Sequence, residues 1–387
     1  MKHMSILHVF NEFLPPTQMW LSDLLGQLDE MDQEQYFFTK KQHPLTSKHD
    51  KLYVSKSSSF KSSFLTKLKS KFRPVNDSSL NSELDQVCKD IKPDLIHAHF
   101  ADIACQVMDA KCIDTTPLIV SFYGWDYEML PYTKPKFKAA YAKLFKLAHR
   151  IITEGPHGKQ MLIEQGCQKE KIEVIPLGIK IEKPASKTRQ AQGKLNMIQI
   201  ASFREKKGQI YSLRALSKCI EKGYNNIKLT LIGDQVGPYA NRVKTLIKDL
   251  QLERYVELKG FLNYQDLHKT LSKYDVFVQP SCYAKNKDCE GGAPTTLFHA
   301  MHQGLPIIAS DHCDIPFVVK NEFNGLISKE KNVDQLAEHM IQFMEMTATQ
   351  YQNFSENGQS QLKSFFDIEK NASLLKECYQ SQLKLNA

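Results

Sequence analysis

The residues whose types and spacing best suit chemistry lie between positions 290 and 301. Glu290 opens this segment, and it is followed by Gly291, Gly292, Ala293, Pro294, Thr295 and Thr296. The two glycines allow the backbone to approach a ligand closely. A helix starting at Thr295 or Thr296 would offer unpaired N–H donors and a partial positive charge, which suit a diphosphate. Glu290 could accept hydrogen bonds from sugar hydroxyls. The alternative interpretation is a tight turn with a surface glutamate.

Elements predicted on either side would hold this Glu290 loop (residues 290–296) in position. Val276–Gln279 is an apolar run typical of a buried strand. The hydroxyl of Thr295 or Thr296 could cap the following helix, which Gly304 would end before Pro306 opens another strand. In open α/β sheets, ligands bind beyond the carboxyl ends of the strands. The loop therefore has the location expected of a binding site.

Short apolar strands alternate with amphipathic helices along both halves of the chain. The predicted strands are Ser5–Phe10, Asp94–His99, Pro117–Phe122, Arg150–Thr153, Lys171–Pro176, Asn196–Phe203, Lys228–Ile232, Tyr255–Lys259, Val276–Gln279 and Pro306–Ala309. The predicted helices include His157–Gln165, Gln209–Lys222, Tyr239–Leu250, Tyr264–Ser272 and Val333–Met346. This alternation predicts parallel sheets covered by helices on both faces. The fold class is therefore α/β, with two doubly wound Rossmann-like domains facing across a cleft.

The polar, basic segment 180–194 has the composition of a linker between the two domains. We assign residues 1–183 to the N-terminal domain, 184–364 to a C-terminal domain, and 365–387 to a final helix. That helix could pack back onto the N-terminal domain.

The bulk composition fits a cytoplasmic globular protein. The chain has 387 residues, 42% of them hydrophobic, and a formal net charge of +8. Its nine cysteines include no C-x-x-C pair, which favours reduced thiols over a disulfide framework or a zinc site. No run of apolar residues is long enough to span a membrane. The sequence has no recognisable nucleic-acid-binding module, so we predict no nucleic-acid partner.

A basic amphipathic stretch from Lys51 to Arg73 suggests a surface partner. It has seven lysines and arginines and no acidic residue, and the apolar residues Phe60, Phe64, Leu65, Leu68 and Phe72 recur among them at helix-like spacing. Such a helix can lie on an anionic membrane, which would put the protein at the inner face of the membrane as a peripheral protein. The alternative is a mobile basic loop whose apolar side packs on its own domain.

The Glu290 loop, Ala300-Met301 and Gly304-Leu305-Pro306 together resemble the donor-binding motif of family 4 retaining glycosyltransferases. These enzymes have the GT-B fold, and the resemblance is to their polysaccharide-building branch. It implies that Glu290 contacts the donor sugar and that the N–H groups near Thr295 and Thr296 hold the diphosphate. His299 replaces the glutamate that usually holds the ribose. A neutral imidazole could accept a ribose hydroxyl, or His299 could be a surface helix residue.

The segment from Ala201 to Gly208 resembles the phosphate motif of the same family. Lys207 falls on the family's lysine, and Ser202 falls on its arginine. Arg204 would lie on the same side of an extended segment as Ser202 and could supply the missing charge. Without the resemblance, a solvated turn of lysines and glutamates would be the simpler interpretation.

Further matches lie in the N-terminal domain. His97 and His99 fall in a family segment at a strand end and share one strand face, where we expect a structural or cleft-lining role. Tyr123, Gly124 and Asp126 fall in a loop near the reacting carbon, and Asp126 is a candidate for a sugar contact. Thr17 would cap the first helix on the acceptor side. No third ligand for the two histidines is evident in the sequence, and the fold is usually metal-independent, so we predict no metal and no cofactor.

The resemblance therefore implies transfer of a sugar from a nucleoside-diphosphate sugar to a glycan or lipid-linked acceptor hydroxyl, with retention. The catalytic candidates are Tyr123, Asp126, Lys207 and Glu290. A tyrosine is a poor base at its ordinary pKa, which agrees with a leaving diphosphate that accepts the proton. One alternative is a weakly active or inactive protein of this fold that binds nucleotide sugars or partners. A sugar-nucleotide epimerase is another.

Overall fold

The computed structural model describes residues 4–15, 18–31, 33–43, 50–56, 75–181 and 193–384. It divides into two compact units. Unit 1 comprises Met1–Leu177 together with Ile368–Ala387, and unit 2 comprises Gly178–Asp367. The division thus falls a few residues before the predicted boundary at 183. The final segment begins at Ile368 rather than at residue 365.

Unit 1 is built on a parallel sheet. In the described part of the unit, its seven strands are β1 (Ser5–Phe13), β2 (Glu34–Gln42), β3 (Leu52–Val54), β4 (Leu95–His99), β5 (Leu118–Phe122), β6 (Arg150–Thr153) and β7 (Ile172–Val174). Their order across the sheet is β3-β2-β1-β4-β5-β6-β7. The order of succession reverses between β1 and β4, which is the switch point where such sheets bind ligands.

The helices of unit 1 connect these strands. They are α1 (Met19–Glu30), α2 (Ser78–Ile91), α3 (Ala101–Val107), α4 (Met129–Thr133), α5 (Lys136–Leu147), α6 (Pro156–Glu164) and, from the end of the chain, α14 (Ile368–Lys384). Leu21 and Leu25 of α1 share a buried cluster with Ile368, Leu375 and Tyr379 of α14. The C-terminal helix is therefore part of the core of unit 1.

Unit 2 repeats the architecture with a six-stranded parallel sheet. Among its described residues the strands are β8 (Leu195–Ile200), β9 (Ile227–Ile232), β10 (Val256–Lys259), β11 (Val276–Gln279), β12 (Ile307–Ser310) and β13 (Gly325–Ser328). Their order is β10-β9-β8-β11-β12-β13, so the switch point lies between β8 and β11. The central strands are buried on both faces, which explains their runs of Ile, Leu and Val.

The helices of unit 2 are α7 (Gln209–Glu221), α8 (Pro238–Asp249), α9 (Leu267–Leu271), α10 (Thr296–His302), α11 (Ile315–Val318), α12 (Val333–Glu345) and α13 (Ala348–Phe365). The predicted helix Tyr264–Ser272 is shorter here, because Tyr264–Asp266 forms a turn of 3-10 helix before α9. The prediction of two doubly wound parallel-sheet domains is confirmed.

Three predicted features lie wholly or partly outside the described residues. These are Thr17, most of the linker (residues 182–192), and positions 57–73 of the basic stretch. Within the part of the chain that is described, no helix combines the length and apolar composition that crossing a bilayer requires.

Candidate donor site at the switch point of unit 2

Two loops meet at the switch point of unit 2. One follows β8 and carries Lys207, and the other follows β11 and carries Glu290. The Nζ atom of Lys207 lies 2.6 Å from Oε2 of Glu290, although 83 positions separate them in the sequence. The topology therefore brings two of the predicted site residues into direct contact.

Gly208 allows the Lys207 loop to run this close to β11. Its φ of +71° lies in the left-handed region, and a Cβ atom there would stand 2.0 Å from the carbonyl oxygen of Pro280. Gln199 of β8 also holds the loop, because its Nε2 donates to the Lys207 carbonyl at 2.6 Å. The backbone of Lys207 is thus fixed from both central strands.

Glu290 is held as a charged group in a buried position. Its side chain is 6% exposed, and its Oε1 accepts a 2.6 Å hydrogen bond from the Ser281 hydroxyl. Burial by itself raises the pKa of Glu290. The charges of Lys207 and Lys206 and the hydrogen bonds from Lys207 and Ser281 outweigh burial, so the pKa lies below its ordinary value. The carboxylate is therefore ionised at neutral pH and remains an acceptor.

The start of α10, which follows Glu290 at the end of the same loop, provides backbone donors. Thr295 occupies the position before the helix, but its hydroxyl makes no capping hydrogen bond, so the predicted cap is wrong. The reason is local, since the φ and ψ of Thr295 are helical rather than extended. The backbone N–H groups of Thr295 and Thr296 donate to no acceptor among the described residues. They remain available to an anionic ligand.

The remaining residues of the Glu290 loop connect Glu290 to α10. Gly291 is buried with a φ of +74°, and Gly292 is also buried. Ala293 and Pro294 are half-buried and lead into α10. The loop therefore follows a path that depends on glycine at position 291.

Ser202 and Arg204 flank the same site. Ser202 is half-buried, and its carbonyl accepts from Nε2 of Gln209 at 3.0 Å. Arg204 is exposed and extended, with φ near −130°. Whether Arg204 supplies charge to a ligand stays a prediction.

His299 lies inside α10 rather than on its surface. It is 5% exposed, and its Nδ1 lies 3.0 Å from Nε2 of His268. Burial, followed by the neighbouring His268 and His302, lowers the pKa of His299 to about 3. The imidazole is neutral at physiological pH, and the hypothesis of a surface residue is wrong. Its contact with a ribose stays a prediction.

Unit 1 contains a buried histidine cluster at its own switch point. His97 and His99 on β4 meet His8 on β1, and all three are fully buried. Nδ1 of His8 lies 2.9 Å from Nε2 of His99, and Nδ1 of His99 lies 2.8 Å from the hydroxyl of Tyr123. The cluster thus ends at the half-buried Tyr123, and neither His97 nor His99 faces solvent as a cleft-lining residue would.

The third histidine provides the ligand that the sequence did not reveal. One nitrogen from each of His8, His97 and His99 lies within 4.8 Å of the others, which is close enough for a metal ion. Both nitrogens of His97 are already in hydrogen bonds, at 2.6 Å to the Tyr379 hydroxyl and 2.8 Å to the Ser121 hydroxyl. Burial lowers the pKa of all three histidines, so they are neutral. The three histidines therefore form a hydrogen-bonded cluster in the core. A metal ion could bind them only if some of these hydrogen bonds were broken.

Tyr123 and Asp126 differ in what they offer a substrate. Burial raises the pKa of Tyr123, so the phenol is a neutral hydrogen-bonding group. Asp126 is fully buried, and its two carboxylate oxygens accept from the backbone N–H groups of Ala101, at 3.0 Å, and Tyr123, at 2.9 Å. The contact between Asp126 and a sugar stays a prediction. Asp126 is a positioning residue that ties the Tyr123 loop to α3, and Gly124, with a φ of +92°, completes that turn.

Several residues of the candidate donor site were not identified in the sequence. The Ser281 hydroxyl donates to the Glu290 carboxylate, and the Gln199 amide donates to the Lys207 carbonyl. His312 accepts the backbone N–H of Glu290 at 3.1 Å. Ser281 and His312 each follow the carboxyl end of a buried strand by two residues. Polar residues at such strand ends are the signal that could have indicated them.

Two Rossmann-like units, built on parallel sheets of seven and six strands, have the architecture of the GT-B class of glycosyltransferases. The family model described as Glycosyltransferase Family 4 matches residues 22–183, and the model described as Glycosyl transferases group 1 matches residues 180–361. The chain belongs to glycosyltransferase family 4, as the sequence motifs indicated.

Individual relatives support this assignment. The amylovoran biosynthesis glycosyltransferase AmsK of Erwinia amylovora is 30% identical over 245 residues, which are 63% of this chain and 59% of AmsK. The UDP-Gal:alpha-D-GlcNAc-diphosphoundecaprenol alpha-1,3-galactosyltransferase of Escherichia coli is 25% identical over 325 residues, which are 79% of this chain and 80% of that enzyme. The solved structure of Anabaena HepE in complex with UDP has a TM-score of 0.74 at 17% identity and covers 98% of this chain and 100% of HepE. The likeness to HepE concerns the fold.

Proposed function

We propose that this protein transfers a sugar from a nucleoside-diphosphate sugar to an acceptor hydroxyl, with retention at the anomeric carbon. The observation that carries the proposal is the contact between Lys207 and Glu290, in a loop that ends at the open N–H groups of Thr295 and Thr296. A lysine and helix N–H groups suit a diphosphate, and a buried carboxylate suits the hydroxyls of a sugar attached to it.

In the proposed reaction, each site residue has a separate role. Lys207 and the N–H groups stabilise the negative charge that develops on the leaving diphosphate, and Glu290 fixes the sugar. The bond from the anomeric carbon to the diphosphate breaks, and a bond to the acceptor oxygen forms on the same face. Tyr123 is neutral and its pKa is raised, so it is not the base. The leaving phosphate oxygen accepts the proton of the acceptor hydroxyl.

The charge on the diphosphate is offset by the protein itself, so the proposal includes no metal and no cofactor. His299 is proposed to contact the ribose through Nε2, because Nδ1 is taken by His268. Arg204 is proposed as a further cation for the diphosphate.

The names of two relatives support a proposal for the acceptor class. AmsK is named for amylovoran biosynthesis, and the Escherichia coli enzyme is named for a diphosphoundecaprenol-linked substrate. We therefore propose a glycan or lipid-linked acceptor in surface polysaccharide assembly. The stretch from Lys51 to Arg73 would bring the protein to the inner face of the membrane.

A thermal-shift screen with UDP-, GDP- and ADP-sugars tests the donor site, because a ligand that binds the folded state raises the unfolding temperature. Reaction with an acceptor, followed by NMR of the new linkage, then reports retention. Binding without transfer to any acceptor would favour the inactive alternative. Conversion of the donor sugar without an acceptor would favour an epimerase.

A further inference from the structure

Two cysteines and a histidine lie close together next to the backbone of Glu290. Cys289 immediately precedes Glu290, while His312 and Cys313 follow β12. One nitrogen of His312 and the two sulfur atoms all lie within 4.8 Å of one another. Cys289 and His312 are buried, and Cys313 is partly exposed and gives this thiol–histidine cluster an access route. Neither cysteine is in a disulfide.

The hydrogen bonds of His312 determine which of its nitrogens carries the lone pair. Its Nδ1 lies 2.6 Å from Oε1 of Glu330, and an ionised carboxylate can only accept, so Nδ1 carries the proton. Oε2 of Glu330 in turn accepts from the backbone N–H of Tyr283 at 3.0 Å. Nε2 of His312 is therefore the acceptor, and it lies 3.2 Å from Sγ of Cys313. A carboxylate that orients an imidazole in this way is the usual support of a metal-binding histidine.

We propose that the thiol–histidine cluster binds a thiophilic divalent ion of the Zn²⁺ type through Sγ of Cys289, Nε2 of His312 and Sγ of Cys313. Thiolate and imidazole ligands suit such an ion, and a water molecule would complete a tetrahedral set. Each thiol releases its proton on binding, and the two thiolates balance the two charges of the ion.

Binding of the ion has a consequence for the donor site. Nε2 of His312 now accepts the backbone N–H of Glu290 at 3.1 Å, and it cannot bind a metal ion and keep that hydrogen bond. Metal binding therefore releases the backbone of Glu290, whose carboxylate pairs with Lys207. The ion acts as an inhibitor of donor binding rather than as a cofactor. This consequence rests on the proposed function, whereas metal binding itself does not.

Titration of the reduced, chelator-treated full-length protein with Co²⁺ tests the site directly. Tetrahedral cobalt bound to thiolates gives strong visible bands and a sulfur-to-metal charge-transfer band in the near ultraviolet. We expect these bands to saturate at about one ion per chain and to disappear when Zn²⁺ displaces the cobalt. Their absence from the unaltered protein would overturn the proposal whatever the variants do.

Variants assign the ligands. Cys313→Ser should remove charge-transfer intensity and weaken binding at least about tenfold, and Glu330→Gln should weaken it about 10- to 100-fold with the bands retained. Cys112→Ser is the matched control, because Cys112 is another partly exposed thiol, in unit 1, and has no part in the cluster. Bands that persist in Cys313→Ser, or that vanish in Cys112→Ser, would contradict the assignment.

Nucleotide-sugar affinity, measured with and without Zn²⁺, tests the inhibition. We expect the nucleotide-dependent thermal shift to shrink in the unaltered protein and to be insensitive to Zn²⁺ in Cys313→Ser. If the metal binds and the nucleotide shift is unchanged, the inhibitory coupling is wrong. If no nucleotide binds under either condition while the cobalt bands are present, the proposed function fails and the metal site stands.

Discussion

At the scale of single residues, the contact between Lys207 and Glu290 has two roles that mutation can separate. The pair stabilises a buried carboxylate in the protein, and both side chains are proposed to bind the donor. Lys207→Met should destabilise the protein by about 3 kcal/mol, because it leaves the Glu290 carboxylate without its nearest cation. Transfer activity should fall at least about 100-fold.

The double variant Lys207→Met/Glu290→Gln separates these roles. Removing both charges should restore much of the stability that Lys207→Met loses, while activity stays low. Thermal unfolding and initial rates of all four forms complete the cycle. If activity recovers along with stability, the pair is structural and the donor-site assignment is wrong.

Asp126 gives a pH dependence to the stability of unit 1. Burial raises its pKa to about 7 in the folded protein, from an ordinary value of 3.8. Between these two pKa values, Asp126 is protonated in the folded protein and ionised in the unfolded chain. The stability contributed by Asp126 is complete below about pH 4 and is lost as the pH rises to about 7.

Asp126→Asn should not show this loss, because its amide does not ionise. We expect the variant to be less stable than the unaltered protein near pH 5, since the amide NH₂ cannot accept a backbone N–H. The gap should narrow towards about pH 8. Unfolding temperatures of both proteins across this range measure the gap. A gap that is independent of pH would contradict the raised pKa.

At the scale of elements, the turn between β8 and α7 depends on Gly208. An added Cβ would both strain a positive φ and meet the Pro280 carbonyl at 2.0 Å. Gly208→Ala should therefore cost about 1–3 kcal/mol in strain and should also displace Lys207 from the proposed donor site.

Gly223 offers a matched control for this prediction. Its φ of +89° is equally unfavourable for alanine, but nothing lies within 4 Å of an added Cβ. Gly223→Ala should carry the backbone strain and leave nucleotide binding intact, whereas Gly208→Ala should lose both stability and binding. Equal nucleotide affinity in the two variants would show that the close approach to Pro280 is unimportant.

The sequence predicted those strands and helices well whose own residues show a clear apolar run or helical spacing. Val276–Gln279 has the predicted bounds, and α10 and β12 follow it as expected. β2 was missed because its buried residues do not alternate, Phe37 and Phe38 being adjacent, and because its last three residues, Lys40, Lys41 and Gln42, are polar. Its burial is decided by β1 and β3 on either side, which no local pattern reveals.

The same limit explains the errors at the sites. Lys207 and Glu290, which the structure brings into contact, could be singled out because each lies in a motif with its own local signature. The burial of Asp126 and the presence of His8 beside His99 depend on which strands are neighbours, since β1 pairs with β4 across the switch point. Long-range pairing of this kind is set by the tertiary fold, and a motif match does not contain it.

At the scale of the whole molecule, the two units differ in how the chain builds them. Unit 2 is one continuous segment, Gly178–Asp367, whereas unit 1 needs both ends of the chain. Tyr379 of α14 is fully buried and its hydroxyl contacts His97 in the core of unit 1. A chain that stops after Asp367 would leave Nδ1 of His97 without the Tyr379 hydroxyl, and the buried side of α1 without its contacts to α14.

This asymmetry predicts that unit 2 folds and binds nucleotide on its own. Lys207, Glu290, Thr295, Thr296 and His299 all lie within residues 178–367, and so do the side chains that position them. A fragment of residues 178–367 should unfold cooperatively and show a nucleotide-dependent rise in unfolding temperature. A fragment of residues 1–177 should fail to fold cooperatively, because it lacks α14. Restoring residues 368–387 through a short linker after Leu177 should rescue it. A folded 178–367 fragment that ignores every nucleotide bound by the full chain would mean that the donor site is incomplete within unit 2.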